Sequence, residues 1–588
     1  MPTTAMQERT RPTPARREVS DEATTVKATP SERSVVNIAA TLAASARRRA
    51  EQIAVAMPRR ARPRGRDAYE TVTFAQLNKD SDLIAAGLWA MGVEPGMRLV
   101  LLVPQSIDFI ALTFGLFKAG VVTVLIDPGM GIQRMLDCLR DVKPDGFVGI
   151  PAVQVVRRLL AGRFPNARHN VWVGRKWLPG GKTLKQIRAL GERTIATAEN
   201  GFAVAPTKGD DPAAIIFTSG ATGPPKGVLY RHGNFAHQVT EIRDFYGIEP
   251  GGTDVAAFPL FSLFNAGMGV TTVLPDMDPS RPARVDPARF VAAIRDWRAD
   301  QSFASPAVWR RVGPYCEAKG VALDSLRRVL SAGAPVPAST LKTMRKALPE
   351  ETPMHTPYGA TESLPVASID DAEVLGETAA ATDQGAGVCV GRKFPDIRWR
   401  VVRISDDPIR TLADTEPLSL GEIGEIIVSG PVVTREYVHR PRANVMAKIA
   451  DGSDVWHRIG DVGYFDEVGR FWYCGRKAHR VRAEKRTHFT IPCEAILNTH
   501  PHVGRSALVG VGPAGRQKPV AVIEPEDGRF PTTRAGKEKL TAEVAALAKA
   551  NEKTAEITRV LIKKFLPVDV RHNSKINRET LAKWAASR

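Results

Sequence analysis

Short apolar runs alternate with amphipathic helical patterns from residue 34 to about residue 470, and this alternation limits the possible folds more than any other feature. Leu99–Val103 and Val121–Ile126 read as buried strands, and Ile107–Lys118 between them reads as a helix. Further strand-like runs follow at Val171–Val173, Ala214–Phe217, Val255–Phe258, Arg328–Leu330 and Glu425–Val428. Strands that alternate with helices predict an α/β fold whose parallel-rich sheets are covered by helices on both faces.

Two segments of different character flank this region. Residues 1–33 are rich in Thr, Pro, Arg and Glu and hold almost no large apolar residue, which predicts a disordered tail. Near residue 475 the pattern resets, and helices are predicted near Cys493–His500 and Lys537–Ala550. We therefore expect a tail at 1–33, a large N-terminal domain at 34–478 and a small α+β domain at 479–588.

Composition argues against several classes of protein. Five scattered cysteines form no CxxC pair, which disfavours a disulfide framework or a zinc site. The chain carries 82 basic and 63 acidic residues, a net charge of +19, but the basic residues are spread out and aromatic content is only 6%, so no nucleic-acid partner is expected. The role of this charge stays open between an anionic surface, an acidic partner and assembly contacts.

The longest apolar stretch, residues 99–126, is interrupted by proline, glycine and charged residues, so no transmembrane segment is expected. The N-terminus lacks the apolar core of a signal peptide. A cytoplasmic protein is therefore the expectation.

The ten residues from Thr218 to Gly227 form the most informative local motif. They follow the strand-like run Ala213–Phe217 and contain three glycines, three hydroxyl residues and Lys226. Glycines let the backbone approach a ligand closely, and backbone N–H groups in such a loop bind anions. The motif predicts binding of a nucleotide polyphosphate. It is not a Walker A loop, because the spacing differs and glycine, not serine or threonine, follows the lysine.

Companion motifs follow downstream. Ser331–Pro335 comes directly after a strand and offers backbone groups to an adenine edge. Tyr358–Glu362 combines a ring that can stack on a purine with a carboxylate suited to Mg²⁺ on phosphate. Asp461 can accept hydrogen bonds from ribose hydroxyls, Arg476 opens the last part of the chain, and Lys575 lies in a polar loop near its end.

In type and order, these motifs resemble those of the adenylate-forming superfamily, which includes acyl-CoA synthetases, luciferases and peptide-synthetase adenylation domains. The resemblance implies ATP and Mg²⁺, formation of an acyl-adenylate from a carboxylic acid, and a small C-terminal domain that is mobile between half-reactions. It implies that Thr361 contacts the α-phosphate, that Glu362 holds the metal, and that Lys226 and Lys575 are catalytic cations, with Lys575 bridging the carboxylate and the α-phosphate. The other implied nucleotide-binding residues are Thr218, Ser219, Gly220, Ala221, Thr222 and Gly223 at the phosphates, Gly333, Ala334, Pro335, Tyr358 and Gly359 near the adenine, and Asp461 and Arg476 at the ribose.

Departures from the common pattern concern the acceptor of the acyl group. Ser574 replaces the glycine that most relatives carry before the lysine, and residues 483–489 lack the glycine of a pantetheine-lining loop. The phrases GRKAHRV and VDVRHNSKINRE resemble the olefin-biosynthesis β-lactone synthetases. That resemblance implies a long-chain 2-alkyl-3-hydroxy acid, lipid-like in character, whose own 3-hydroxyl attacks the acyl-adenylate to close a β-lactone. Other enzymes of the same hydrocarbon pathway are candidate partners.

Alternatives remain. A long-chain fatty acyl-CoA synthetase would pass the acyl group to coenzyme A, a loading enzyme would pass it to a separate carrier, and an inactive nucleotide-binding protein would do neither. A base for the 3-hydroxyl would be needed in the lactone reaction, and His479, His488 and His572 are candidates. Phe258–Phe264 is the expected wall of an apolar acyl pocket.

Overall fold

The computed structural model describes residues 36–59, 65–199, 202–218, 225–568 and 576–588. Within these ranges the strands are β1 (Ile53–Pro58), β2 (Tyr69–Thr73), β3 (Arg98–Leu102), β4 (Val122–Leu125), β5 (Gly146–Gly149), β6 (His169–Trp172), β7 (Lys182–Thr183), β8 (Pro212–Thr218), β9 (Lys226–Arg231), β10 (Thr253–Ala256), β11 (Thr271–Val273), β12 (Gln301–Ala304), β13 (Arg328–Ser331), β14 (Met354–Ala360), β15 (Ser363–Asp370), β16 (Val388–Cys389), β17 (Arg392–Lys393), β18 (Arg398–Val402), β19 (Gly424–Ser429), β20 (Lys448–Asp451), β21 (Asp454–Phe465), β22 (Phe471–Arg476), β23 (Val481–Arg482), β24 (Thr487–His488), β25 (Val503–Val511), β26 (Lys518–Pro525) and β27 (Arg559–Ile562).

The α-helices in the same ranges are α1 (Ala40–Arg48), α2 (Phe74–Ala90), α3 (Ile107–Lys118), α4 (Ile132–Val142), α5 (Pro151–Leu159), α6 (Leu184–Ala196), α7 (His232–Phe245), α8 (Pro259–Met268), α9 (Pro287–Trp297), α10 (Pro306–Lys319), α11 (Ala338–Arg345), α12 (Asp371–Glu373), α13 (Ala379–Asp383), α14 (Pro441–Ala447), α15 (Thr490–Leu497), α16 (Arg534–Lys549) and α17 (Arg578–Ala586).

The first sheet has the strand order β7-β6-β5-β3-β4-β8-β9. Its strands are parallel except β9, which returns antiparallel to β8. Helices α2 and α3 pack together on one face, and Leu136, Leu139 and Val142 of α4 close a separate apolar core on the other. Because the carboxyl ends of parallel strands share one edge of a sheet, the end of β8 at Thr218 lies beside the end of β4 and on the same edge as the ends of β3 and β5.

The second sheet has the order β17-β15-β14-β13-β12-β10-β11-β1-β2, with a parallel centre and antiparallel strands at its two sides. Residues of α9, α10 and α11 form one core with this sheet, around the fully buried Trp309 and Phe290. The two sheets with helices between and around them confirm the predicted α/β class.

The third sheet corrects the prediction that parallel pairing continues to residue 470. Its order is β16-β22-β21-β19-β18, with β20 beside β21, and all of its strands are antiparallel. Glu425–Val428 is a strand as predicted, but apolar strand patterns do not reveal strand direction when both faces are covered. The predicted turn at residues 466–470 joins β21 to β22.

The remaining elements form a small α+β unit with a β23–β24 pair and a β25-β26-β27 sheet against α15, α16 and α17. β22 ends at Arg476 and β23 begins at Val481, so the boundary at 478/479, which remains a prediction, falls between two sheets. The predicted tail lies outside the described residues. All five cysteines are free and buried. No helix in the described part of the chain is long and apolar enough to cross a membrane.

Candidate active site

Predicted motifs that are far apart in the chain line one cavity of about 1860 Å³. Gly333, Ala334 and Pro335 follow β13. The Tyr358–Glu362 segment comprises the end of β14 and the two-residue connection to β15. Asp461 and Arg476 reach the same cavity from β21 and β22. The sheet arrangement therefore brings together the residues predicted to bind adenine, ribose and the α-phosphate.

Tyr358, Asp461 and Arg476 form a hydrogen-bonded group. Asp461 and Arg476 are cross-strand partners, and Arg476 Nη1 donates to Asp461 Oδ1 at 2.8 Å and to the Ile459 carbonyl at 2.8 Å. The Tyr358 hydroxyl donates to Asp461 Oδ2 at 2.6 Å. Burial and the Asp461 carboxylate raise the pKa of Tyr358, while Asp461 raises that of Arg476. Both groups therefore remain donors, and the carboxylate is held in one orientation.

Gly475 allows this group to form. Its φ of 126° lies in the region that disfavours side chains, and a Cβ there would meet Thr490 Oγ1 at 2.5 Å. Glycine thus lets β22 pass closely over the start of α15 immediately before Arg476.

A second group surrounds Glu362. The Tyr437 hydroxyl donates to Glu362 Oε1 at 2.6 Å. Lys226 Nζ lies 4.8 Å and Lys448 Nζ lies 5.6 Å from the centroid of the Tyr437 ring, both within cation–π range. Burial lowers the pKa of Lys448 to about 7, although Glu362 and Glu436 act in the opposite direction. The carboxylate and two amines are therefore organised around one phenol.

Backbone contacts fix the tip of the β14–β15 hairpin. The Thr434 N–H and hydroxyl donate to the Glu362 carbonyl at 2.9 and 3.0 Å, and the Tyr230 hydroxyl donates to the Thr361 carbonyl. The segment that carries Tyr437 runs along β9, because Val438 N donates to the Gly227 carbonyl at 2.8 Å. The hairpin tip and the start of β9 are thus tied to one another.

Several predicted residues lie outside the described part of the chain: Ser219, Gly220, Ala221, Thr222, Gly223, His572 and Lys575. Their placement stays a prediction. Thr218 and Lys226, which belong to the predicted phosphate-binding motif, are paired between β8 and β9.

The candidate bases occupy different environments. His479 lines the cavity, and burial together with Arg578 and Arg476 lowers its pKa to about 4. His488 is buried in the C-terminal unit, where its Nε2 lies 3.2 Å from Glu556 Oε2, and it is not among the cavity-lining residues that the structure describes. Of the two candidate bases that the structure describes, only His479 lines the cavity.

The predicted apolar wall lines the same cavity. Phe258 directly precedes α8, and Phe261 and Phe264 lie within it. The Phe261 ring stacks on Phe303 with centroids 4.2 Å apart. The apolar lining continues beyond α8 at Phe109, Phe114, Phe117, Phe235 and Ile242. A polar region suited to a nucleotide is therefore continuous with an apolar region suited to a long chain.

The profile of a family described as AMP-binding enzyme matches residues 42–438. The chain belongs to the AMP-binding enzyme family. It is 44% identical over 94% of its length to the olefin beta-lactone synthetase of Xanthomonas campestris pv. campestris, covering 97% of that protein. It is also 44% identical over 94% of its length to the olefin beta-lactone synthetase of Stenotrophomonas maltophilia, covering 98% of that protein.

Among solved structures, the amide bond synthetase McbA from Marinactinospora thermotolerans superposes with a TM-score of 0.74 and 21% identity, covering 93% of this chain and 99% of that one. This likeness establishes the shared fold. The sequence relatives and the family profile make the chain an AMP-forming ligase similar to β-lactone synthetases, with ATP as the source of AMP.

The site of this AMP-binding enzyme fits Mg²⁺ that arrives with the nucleotide. The described residues contain no group of three or more His, Cys, Asp or Glu side chains that could hold a metal by themselves. Mg²⁺ in nucleotide sites is usually held by one or two carboxylates together with substrate phosphates. Glu362, one of the carboxylates that line the cavity, meets that requirement, and Tyr437 anchors its Oε1.

Sequence reasoning missed Tyr437 and Lys448. Neither lies in a motif with diagnostic spacing, and the contact between Tyr437 and Glu362 spans 75 positions of the chain. The only signal in the sequence was that Lys448 is a lone lysine between the apolar residues 445–447 and 449–450.

Proposed function

We propose that this enzyme converts a long-chain 2-alkyl-3-hydroxy acid into a β-lactone in two steps. The carboxylate first attacks the α-phosphorus of ATP, forming the acyl-adenylate and releasing pyrophosphate. The 3-hydroxyl oxygen then bonds to the carbonyl carbon, the bond from that carbon to the phosphate oxygen breaks, and AMP leaves. The observation that carries the proposal is one cavity in which the nucleotide motifs join a long apolar lining. The two relatives named as olefin beta-lactone synthetases favour this acceptor.

In the first step, the Tyr358–Asp461–Arg476 group would bind the nucleoside. A carboxylate has about four lone-pair sites, so Asp461 can accept from Tyr358 and Arg476 and still accept from ribose hydroxyls. Gly333, Ala334 and Pro335 would offer backbone groups to the adenine.

Cations would offset the charge that accumulates as an anionic carboxylate meets a triphosphate. Lys226 and Lys575 would supply two of them, and Thr361 would donate to the α-phosphate. Glu362 would hold Mg²⁺, which when bound neutralises phosphate charge. Tyr437 would keep the Glu362 carboxylate turned towards the nucleotide.

In the second step, the nucleophile belongs to the substrate itself. Holding a hydroxyl beside an activated carbonyl gives effective molarities of about 10⁵ M or more, which helps to offset ring strain. His479 would accept the hydroxyl proton: it lines the cavity and its low pKa keeps the imidazole neutral at pH 7. Its weak basicity means that proton transfer would accompany bond formation rather than precede it.

Product analysis tests the proposal. Purified enzyme would be incubated with ATP, Mg²⁺ and a 2-alkyl-3-hydroxy acid, with and without coenzyme A, and products identified by mass spectrometry. We expect AMP and a product lighter than the acid by one water, at a rate that coenzyme A does not change. The matched substrate without the 3-hydroxyl should undergo ATP–pyrophosphate exchange but give no lactone. A coenzyme A thioester as the main product would establish the acyl-CoA synthetase alternative instead.

A further inference from the structure

Nearly half of the excess positive charge lies in one part of the first sheet. Residues 131–188 hold twelve Lys and Arg residues and three Asp residues, a net charge of +9 against +19 for the whole chain. This segment contains α4 and α5, which cover one face of the sheet, and the loop that follows β6.

Part of this charge lies at the edge of the first sheet that the cavity reaches. β4, β5 and β6 are parallel to β3 or to one another, so the segments after them meet at one edge. The segments after β4 and β5 contribute Ile126, Ile150 and Val153 to the cavity lining. The loop after β6 lies beside the segment after β5, because a Cβ on Gly174 would be 3.8 Å from Pro151 at the start of α5.

Apolar side chains are exposed among the cations at this edge. Ile132 is 59% exposed at the first residue of α4, and Trp177 is 61% exposed in the loop after β6. Arg134, Arg175 and Lys176 are exposed beside them in the chain, and no carboxylate in the described residues forms an ion pair with any of the three. We call Ile132, Arg134, Arg175, Lys176 and Trp177 the rim patch.

We propose that the rim patch docks on an anionic lipid bilayer and, for the apolar acid on which the proposed function rests, delivers that acid from the membrane to the cavity. Lysine and arginine near an anionic leaflet gain binding energy from its surface potential, and tryptophan is favoured at the boundary between headgroups and acyl chains. An acidic protein would satisfy the three cations but would leave the exposed tryptophan and isoleucine without an apolar partner. A bilayer satisfies both, and it also dissolves the kind of chain that the adjoining apolar lining fits.

Vesicle binding tests this docking site without relying on the acceptor step. The full chain would be sedimented with phosphatidylcholine vesicles that contain either no anionic lipid or about one-third phosphatidylglycerol. We expect binding to the anionic vesicles only, weakening strongly between about 0.05 M and about 0.5 M salt, as the Debye length shortens. The triple variant Arg134→Gln, Arg175→Gln, Lys176→Gln should bind about a hundredfold more weakly, at about fivefold per cation.

The matched control removes the same charge elsewhere. Arg534→Gln, Lys539→Gln, Lys549→Gln neutralises three exposed cations of α16 and should stay within about threefold of the wild type in vesicle affinity. Equal weakening of both triple variants would overturn the proposal, because net charge alone would then explain binding. Unchanged thermal midpoints would confirm that both variants fold.

Insertion of Trp177 into lipid would distinguish a bilayer from an acidic protein as the partner of the rim patch. Brominated lipids should quench part of the tryptophan fluorescence in the wild type and less of it in Trp177→Phe. Absence of binding to anionic vesicles at low salt would overturn the proposal. The proposal would also be overturned if the protein bound soluble poly-glutamate as tightly as vesicles and the rim-patch triple variant lost that binding. The patch would then be assigned to an acidic polypeptide.

Discussion

The hydrogen bond from Tyr437 to Glu362 provides the sharpest structural prediction. Tyr437→Phe removes one oxygen atom and keeps the ring that Lys226 and Lys448 both approach. The lost contact is a 2.6 Å hydrogen bond to a carboxylate, and hydrogen bonds to charged groups contribute about 1.5–3 kcal/mol. At about 1.4 kcal/mol per tenfold, adenylation should lose about 10- to 150-fold in kcat/KM.

ATP–pyrophosphate exchange at a series of Mg²⁺ concentrations measures this loss. If Tyr437 acts by orienting the proposed metal ligand, the apparent affinity for Mg²⁺ should weaken, and Tyr437→Phe should add nothing in a Glu362→Gln background. Tyr69→Phe is the matched control, because the buried Tyr69 hydroxyl has no hydrogen-bond partner among the described residues. Exchange within twofold of the wild type at every Mg²⁺ concentration would refute the reasoning.

Three further predictions concern the same site and its surroundings. The pKa of Lys448 is lower in the folded than in the unfolded chain, so this residue destabilises the fold increasingly as the pH falls from about 10.5 to about 7. Lys448→Met should therefore raise the thermal midpoint above that of the wild type by more at pH 7 than at pH 9.5, and a difference that does not depend on pH would contradict this. Asp461→Asn removes the carboxylate that pairs with Arg476 and should raise the KM for ATP about tenfold or more, while the KM for the acid changes less than twofold. Equal rises in both KM values would argue against a role of Asp461 in binding the nucleoside. Phe264→Trp should shift the preference towards shorter acids, measured with a series of acids of different length, by about fourfold in kcat/KM for each methylene group that no longer fits. An unchanged preference would mean that the acyl chain binds elsewhere.

Local sequence patterns were sufficient to predict the bounds of a helix or strand where burial of its apolar residues dominates. α3 begins and ends at the predicted residues, because a continuous apolar helix buried on nearly all sides has Ser106 as its N-cap, accepting from Phe109 N at 3.2 Å. β8 extends the predicted Ala214–Phe217 run by one or two residues at each end, since a buried strand in a parallel sheet is uniformly apolar.

Local sequence patterns could not predict which distant segments pair with one another in the fold. The direction of β19 depends on β18 and β21, and nothing within Glu425–Val428 records it. Asp461 lies inside the long strand β21, where its cross-strand partner Arg476 orients it, and nothing in the sequence around Asp461 identifies that partner. Lys448 and Tyr437 reach Glu362 only because β20 and the segment beside β9 converge, an arrangement fixed by tertiary packing.

Isotope tracing most directly tests the central claim that the carboxylate is activated and the 3-hydroxyl attacks it. The enzyme would convert a 3-hydroxy acid carrying ¹⁸O in both carboxylate positions, and mass spectrometry would follow the label. Attack on an acyl-adenylate predicts one ¹⁸O in AMP and one in the lactone carbonyl, with the unlabelled 3-hydroxyl oxygen in the ring. Both labels in the lactone and none in AMP would contradict the account, because the 3-hydroxyl would then have been the activated group.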